Sequence, residues 1–113
     1  MSLITLGEAK GYLRVDSGME DDVILSLLAS SEKLCADVGR LTAAEWNAVC
    51  TDETVTIRGT ELDNLETAQV KELLRTAVLF ILGYLFEHRE EADHHDLVMT
   101  LRNLLASVRE GVF

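Results

Sequence analysis

The sequence predicts an all-α protein: a small bundle of four to five helices around one long central helix at about residues 68–88, with a short strand or extended loop at about 51–60. Three observations predict it. Apolar residues recur at three- and four-residue steps through Val70, Leu73, Leu74, Ala77, Val78, Ile81 and Leu85, the spacing of one helix face. The chain contains no proline, the usual interrupter of helices. Three Ser/Thr-x-x-Glu capping signatures, at Thr5–Glu8, Ser17–Glu20 and Thr42–Glu45, mark helix starts. A length of 113 residues suits one domain with one modest core. With aromatic content at 5%, that core is built mainly from Leu, Val, Ile and Ala.

The first helix runs from Leu6 to about Leu13 and turns Ala9, Tyr12 and Leu13 inward; Arg14-Val15-Asp16 is a connector. The second runs from Glu20 to about Val38. Its stripe is Val23, Ile24, Leu27, Leu28, Ser31, Leu34, Cys35 and Val38, and Gly39 suits a left-handed stop. Glu20, Asp21 and Asp22 fall in its first turn, where acidic side chains complement the helix dipole. They lack the longer oxygen-ligand alternation of a calcium loop. A third, short helix carries Trp46 and Val49. The β-branched alternation Thr54-Val55-Thr56-Ile57-Arg58-Gly59 then reads as a single strand or an extended arm. Such a strand has no partner within the chain, so it pairs across subunits or is a loop.

The central helix follows, from about Thr67 to His88. From Phe80 onward it stops being one-sided: Phe80, Tyr84 and Phe86 fall off the first stripe, and the second half is apolar almost all round. A surface helix of a small domain needs only one apolar stripe. Two readings follow. In one, the uncovered side meets another subunit; in the other, this is the middle helix of a monomeric bundle. The polar turn Glu87–Glu91 closes the helix. Asp93-His94-His95-Asp96 has metal-ligand residue types, but consecutive turn positions point apart and no further ligand lies at zinc-type spacing. It reads as a solvated turn with Asp96 as the next N-cap. The last helix runs from Leu97 to about Glu110 on the stripe Leu97, Val98, Leu101, Leu104, Leu105 and Val108. The apolar Phe113 then tucks into a groove, its own or a neighbour's.

Ten basic and twenty acidic residues leave a formal charge of −10, with twelve acidic and five basic residues before Asn64 and eight and five from there on. The Lys and Arg residues are scattered singly, whereas a nucleic-acid binder gathers basic residues on one face. The apolar run at residues 77–86 is ten residues long, short of the roughly 20 that span a membrane. With no basic-then-apolar leader visible, the expected setting is cytoplasmic. Cys35 and Cys50 read as reduced structural thiols. No phosphate loop, nucleophile elbow or His-Glu-x-x-His helix is present, and nothing sets a base beside a nucleophile. The expectation is a protein that is not an enzyme and takes no cofactor or metal.

Several separated pieces, in order, resemble the head–tail connector (adaptor) family of tailed bacteriophages, also labelled phage DNA-packaging proteins. They are Ile4 through Asp16 with Glu20-Asp21-Asp22; Asp37-Val38-Gly39-Arg40; Val70-Lys71 through Ala77-Val78 to Gly83-Tyr84-Leu85-Phe86-Glu87-His88-Arg89-Glu90; and Leu104 through Arg109 with Val112-Phe113. They cover about two-thirds of the chain. Thr67-Ala68-Gln69 stands where the family often has a proline, and residues 41–66 match none of its pieces.

The resemblance implies a virion neck protein, assembled in the host bacterial cytoplasm as a ring, about twelve-fold, under the portal. Such a ring joins head to tail, extends the DNA channel and completes DNA packaging. Its partners are copies of itself, the portal and the next neck or tail-completion protein. DNA passes through without specific binding, and no membrane is involved. The candidate subunit-interface residues are Phe80, Tyr84, Phe86, Arg89, Arg14, Asp16 and Phe113. An acidic helical binding module, such as a small regulator docking on a basic protein, is the alternative; a metal-dependent enzyme using Asp93 to Asp96 is a third reading.

Overall fold

The structure, a computed structural model, describes residues 3–88 and 95–110. Within them lie α1 (Leu6–Leu13), α2 (Asp21–Val38), α3 (Ala43–Thr51), β1 (Thr56–Ile57), β2 (Thr60–Glu61), α4 (Asn64–Glu87), α5 (His95–Leu104) and α6 (Ala106–Glu110). The fold is mainly α-helical, as the apolar spacing predicts, and α4 is its axis.

Local capping chemistry starts three of the helices. Thr5 Oγ1 accepts from the backbone N–H of Glu8 at 3.1 Å, and Glu8 returns the bond to the backbone of Thr5. Thr42 and Glu45 do the same for α3. The third box lies at Asp63–Glu66, where Asp63 Oδ1 accepts from Glu66 N–H at 2.8 Å. That box starts α4 at Asn64, earlier than the expected start near Thr67. Its 24 residues span about 36 Å. The signature at Ser17–Glu20 forms no cap: α2 begins at Asp21, and Glu20 at its N-cap makes no side-chain capping bond.

The core lies between α2 and α4 and is closed by α1, α3 and α5. Ile24, Leu28, Ser31, Cys35 and Val38 on α2 are buried, as are Val70, Leu74, Ala77, Val78, Ile81 and Leu82 on α4. Each of the larger apolar side chains contributes about 1.5–3 kcal/mol by leaving water. Ser31 returns its hydroxyl to Leu27 O at 2.7 Å, so a polar residue fits the stripe without an unmet donor. Val23, expected in the stripe, is exposed instead. Cys35 and Cys50 are both free thiols. Burial, with the negative charge of Glu32, pushes the Cys35 thiol up to about 12.

Both α1 and α2 end in a left-handed residue, and in both it is an arginine. Gly39 is right-handed at φ −74°, contrary to expectation, and Arg40 takes φ 58°. Arg40 N–H reaches Asp37 O, and Leu41 N–H reaches Ala36 O at 2.9 Å. This is a Schellman closure, in which the left-handed place usually belongs to glycine. Arg14 at φ 60° closes α1 with the same pair of bonds, to Gly11 O and Lys10 O.

The alternation after α3 has a partner within the chain. Thr56 pairs with Glu61 and Ile57 with Thr60, antiparallel, around the two-residue turn Arg58-Gly59. Both turn residues have positive φ, 54° and 79°, the type I′ geometry whose twist suits a tight hairpin. Val55, Ile57 and Leu62 are buried beneath it. Val55 N–H donates to Oγ1 of the buried Thr67, which fastens the hairpin to the first turns of α4.

The last helix is divided. α5 and α6 part at Leu105, although the i→i−4 bonds Leu105 to Leu101 and Arg109 to Leu105 run through the break. Asp96 lies in the first turn of α5, which starts at His95, and is not its N-cap. Leu97, Leu101, Leu105 and Val108 are all buried, as their spacing predicts.

Candidate interaction site

The second half of α4 does carry more apolar surface than the fold covers. Phe80 is 41% exposed, and Tyr84 and Phe86 are half-buried. Phe80, Tyr84 and His88 follow one another at four-residue steps, so they share one side of the helix. The rings of Tyr84 and His88 stack with centroids 4.2 Å apart. His88 Nδ1 lies 2.9 Å from Tyr84 O at the helix end.

The end of α1 supplies the opposite wall. Tyr12 does not turn inward as its place on a short amphipathic helix suggests; it is 50% exposed. One side of its ring lies against a residue without a side chain. A Cβ on Gly83 would stand 3.1 Å from Tyr12 Cε1, so the ring packs close against bare helix backbone. Tyr12, Leu13, Arg14, Phe80, Gly83, Tyr84, Phe86, Glu87 and His88 line a groove of about 580 Å³.

Of the interface candidates, Phe80, Tyr84, Phe86 and Arg14 are thus brought together. Asp16 is exposed but does not line the groove. Arg89 and Phe113 lie outside the described residues, as do Asp93 and His94 of the candidate metal turn. Among the described residues, no group of three His, Cys, Asp or Glu side chains is placed to hold a metal ion. None of their helices is long and apolar enough to cross a membrane. Tyr12 and Gly83 were not singled out from sequence. A glycine inside an apolar helix is the signal that could have found them, because it marks close approach.

A second feature corrects the sequence reading of the charges. The basic residues are not all scattered. Arg109, on α6, donates to Val38 O at 2.6 Å, which places it over the C-terminal end of α2. Partial burial, and then the positive charges of Arg40, Arg102 and Arg58, hold its guanidinium below the ordinary arginine range. Arg58 is held at the start of α3, where its backbone N–H donates to Glu45 Oε2 at 2.9 Å. Arg40 follows α2 directly and Arg109 lies over its last carbonyl, while Arg58 and Arg102 stand near enough for Arg109 to feel their charge, as it feels the carboxylate of Glu110; Arg40, Arg58 and Arg102 are exposed. The ion pairs found among the described residues join Lys10 to Asp21, Lys33 to Asp37, and Arg75 to Glu8 and Glu72. None takes in an arginine of this cluster.

The chain matches no protein-family model, no curated protein and no solved structure.

Proposed function

We propose that this chain is a structural subunit of a tailed-phage neck, a ring component that sits under the portal, extends the DNA channel and does no catalysis. The ordered sequence pieces that resemble head–tail connectors suggest it. The observation that carries it is the open aromatic flank where α1 meets α4, with Tyr12 and Phe80 about half exposed beside Tyr84 and Phe86. A subunit of a closed ring presents two different patches, because each copy touches its neighbours head to tail. The groove is suited to be one of them. Its ring-lined walls offer apolar area with little side-chain entropy to lose, the composition favoured at interface centres.

The test is light scattering of the purified chain with and without the portal. Ring-sized particles are expected when portal is present. Phe80→Asp and Tyr84→Asp, checked for helix content by circular dichroism, should each abolish them. Folded variants that still form rings would move the contact to another face. Absence of any ring with portal would overturn the reading. The acidic-module alternative is supported by the net charge of −10. It predicts instead a fixed monomer or dimer with one tight basic partner.

A further inference from the structure

We propose that the arginine patch of Arg40, Arg58, Arg102 and Arg109 is the other half of the head-to-tail contact, and that it receives the acidic turn Asp16–Asp22 of the next copy. This rests on the ring reading and names the second face that reading requires.

The two features stand at opposite ends of α2. Asp21 and Asp22 open that helix; Arg40 follows its last turn, and Arg109 binds its last carbonyl. The helix's 18 residues separate them by about 27 Å, well beyond the roughly 8 Å over which salt lets exposed charges act. The patch and the turn therefore cannot neutralise one another within one molecule, but neighbouring copies can pair them.

Two of the patch residues occupy costly backbone. Arg40 and Arg58 have φ of 58° and 54°, places where glycine is easier by about 1 kcal/mol. Each face also carries one exposed methionine. Met19, 92% exposed, stands in the middle of the acidic turn. Met99, 43% exposed, lies one turn from Arg102 on α5. An adaptable apolar contact inside a charged rim is a common interface plan.

The acidic partner is argued from charge. Apart from these four arginines, six basic residues face twenty acidic ones, so the rest of the surface repels nucleic acid and offers carboxylates to a guanidinium. Asp21 is already paired with Lys10 at 2.8 Å and Glu20 is half-buried, so the exposed Asp16 and Asp22 are the carboxylates the turn offers. The turn lies next to Arg14, at the groove end of the molecule, so one face would join the acidic turn to the aromatic groove.

The experiment is sedimentation velocity of the full chain with portal, using two charge-reversed variants. One carries Arg40→Glu and Arg102→Glu; the other carries Asp16→Arg and Asp22→Arg. Each alone should lose ring assembly, or need at least about tenfold more protein for it. An equimolar mixture should restore rings, because opposite reversals alternate around the circle. The single chain with all four changes should also restore them. If both variants assemble like the parent, the patch is not the contact, while the ring reading stands. If the parent itself stays monomeric with portal, both readings fall. If instead the parent binds labelled duplex DNA and Arg40→Glu with Arg102→Glu abolishes this without changing assembly, the patch serves nucleic acid and the proposal is overturned.

Discussion

Tyr12 lies on Gly83, its ring edge 3.1 Å from where a side chain would begin. Both residues line the groove, and the tyrosine is half in solvent. Their contact makes a prediction whose sign is decided by two terms. Alanine is favoured over glycine inside a helix by about 1 kcal/mol, while a Cβ at this distance pushes the Tyr12 ring aside. An exposed ring can give way by a few tenths of an ångström. Gly83→Ala should therefore raise stability, by less than the full 1 kcal/mol, measured by urea unfolding. In a Tyr12→Ala background the gain should grow towards about 1 kcal/mol. Equal gains in both backgrounds would remove the contact from the account.

Arg40→Gly should stabilise the isolated chain by about 0.5–1 kcal/mol, because glycine meets no Cβ penalty in the left-handed place. The same change should weaken ring assembly with portal, since it deletes a charge from the patch. A higher melting temperature with poorer assembly separates fold from function at one residue. A variant that gains on both counts would show that Arg40 carries no contact.

Glu45 ties the start of α3 to the hairpin: Oε1 accepts from Thr42 N–H at 2.9 Å and Oε2 from Arg58 N–H at 2.9 Å. Its partial burial opposes ionisation, but these bonds outweigh it, so its carboxyl sits below the usual glutamate range. Glu8 is lowered too, chiefly by Arg75. A carboxyl lowered in the folded state adds stability above its unfolded value and loses it as pH falls through the folded one. Stability should therefore decline below about pH 4.5, the ordinary value for glutamate. Glu45→Gln should flatten part of that decline and cost about 1 kcal/mol at neutral pH. An unchanged pH profile would mean the bridge is not formed.

The helices and most of their inward faces were legible in the amino-acid order, because a helix is specified by neighbours three and four residues apart. The stripes of α2 and α4 and the Thr5 and Thr42 boxes are local facts of this kind. The box at Asp63 is local as well, with an aspartate in the place of Ser or Thr. Ser17–Glu20 has the same spelling as a cap, yet the chain turns there without forming one.

The sequence by itself settled that this chain is a helical bundle whose long axial helix is richer in apolar residues than one stripe requires. Only the folded chain decided where that excess surfaces and what lies beside it. It gave the alternation at Thr56 a partner at Thr60–Glu61, and it turned Tyr12 outward over a glycine on another helix. It also set Arg40, Arg58 and Arg102 near enough to Arg109 for it to feel their charge. The physical reason is range: backbone bonding and amphipathic period act within a turn or two. The meeting of a ring with a glycine 71 positions away, or of charges on four segments, exists only once the core between α2 and α4 has closed.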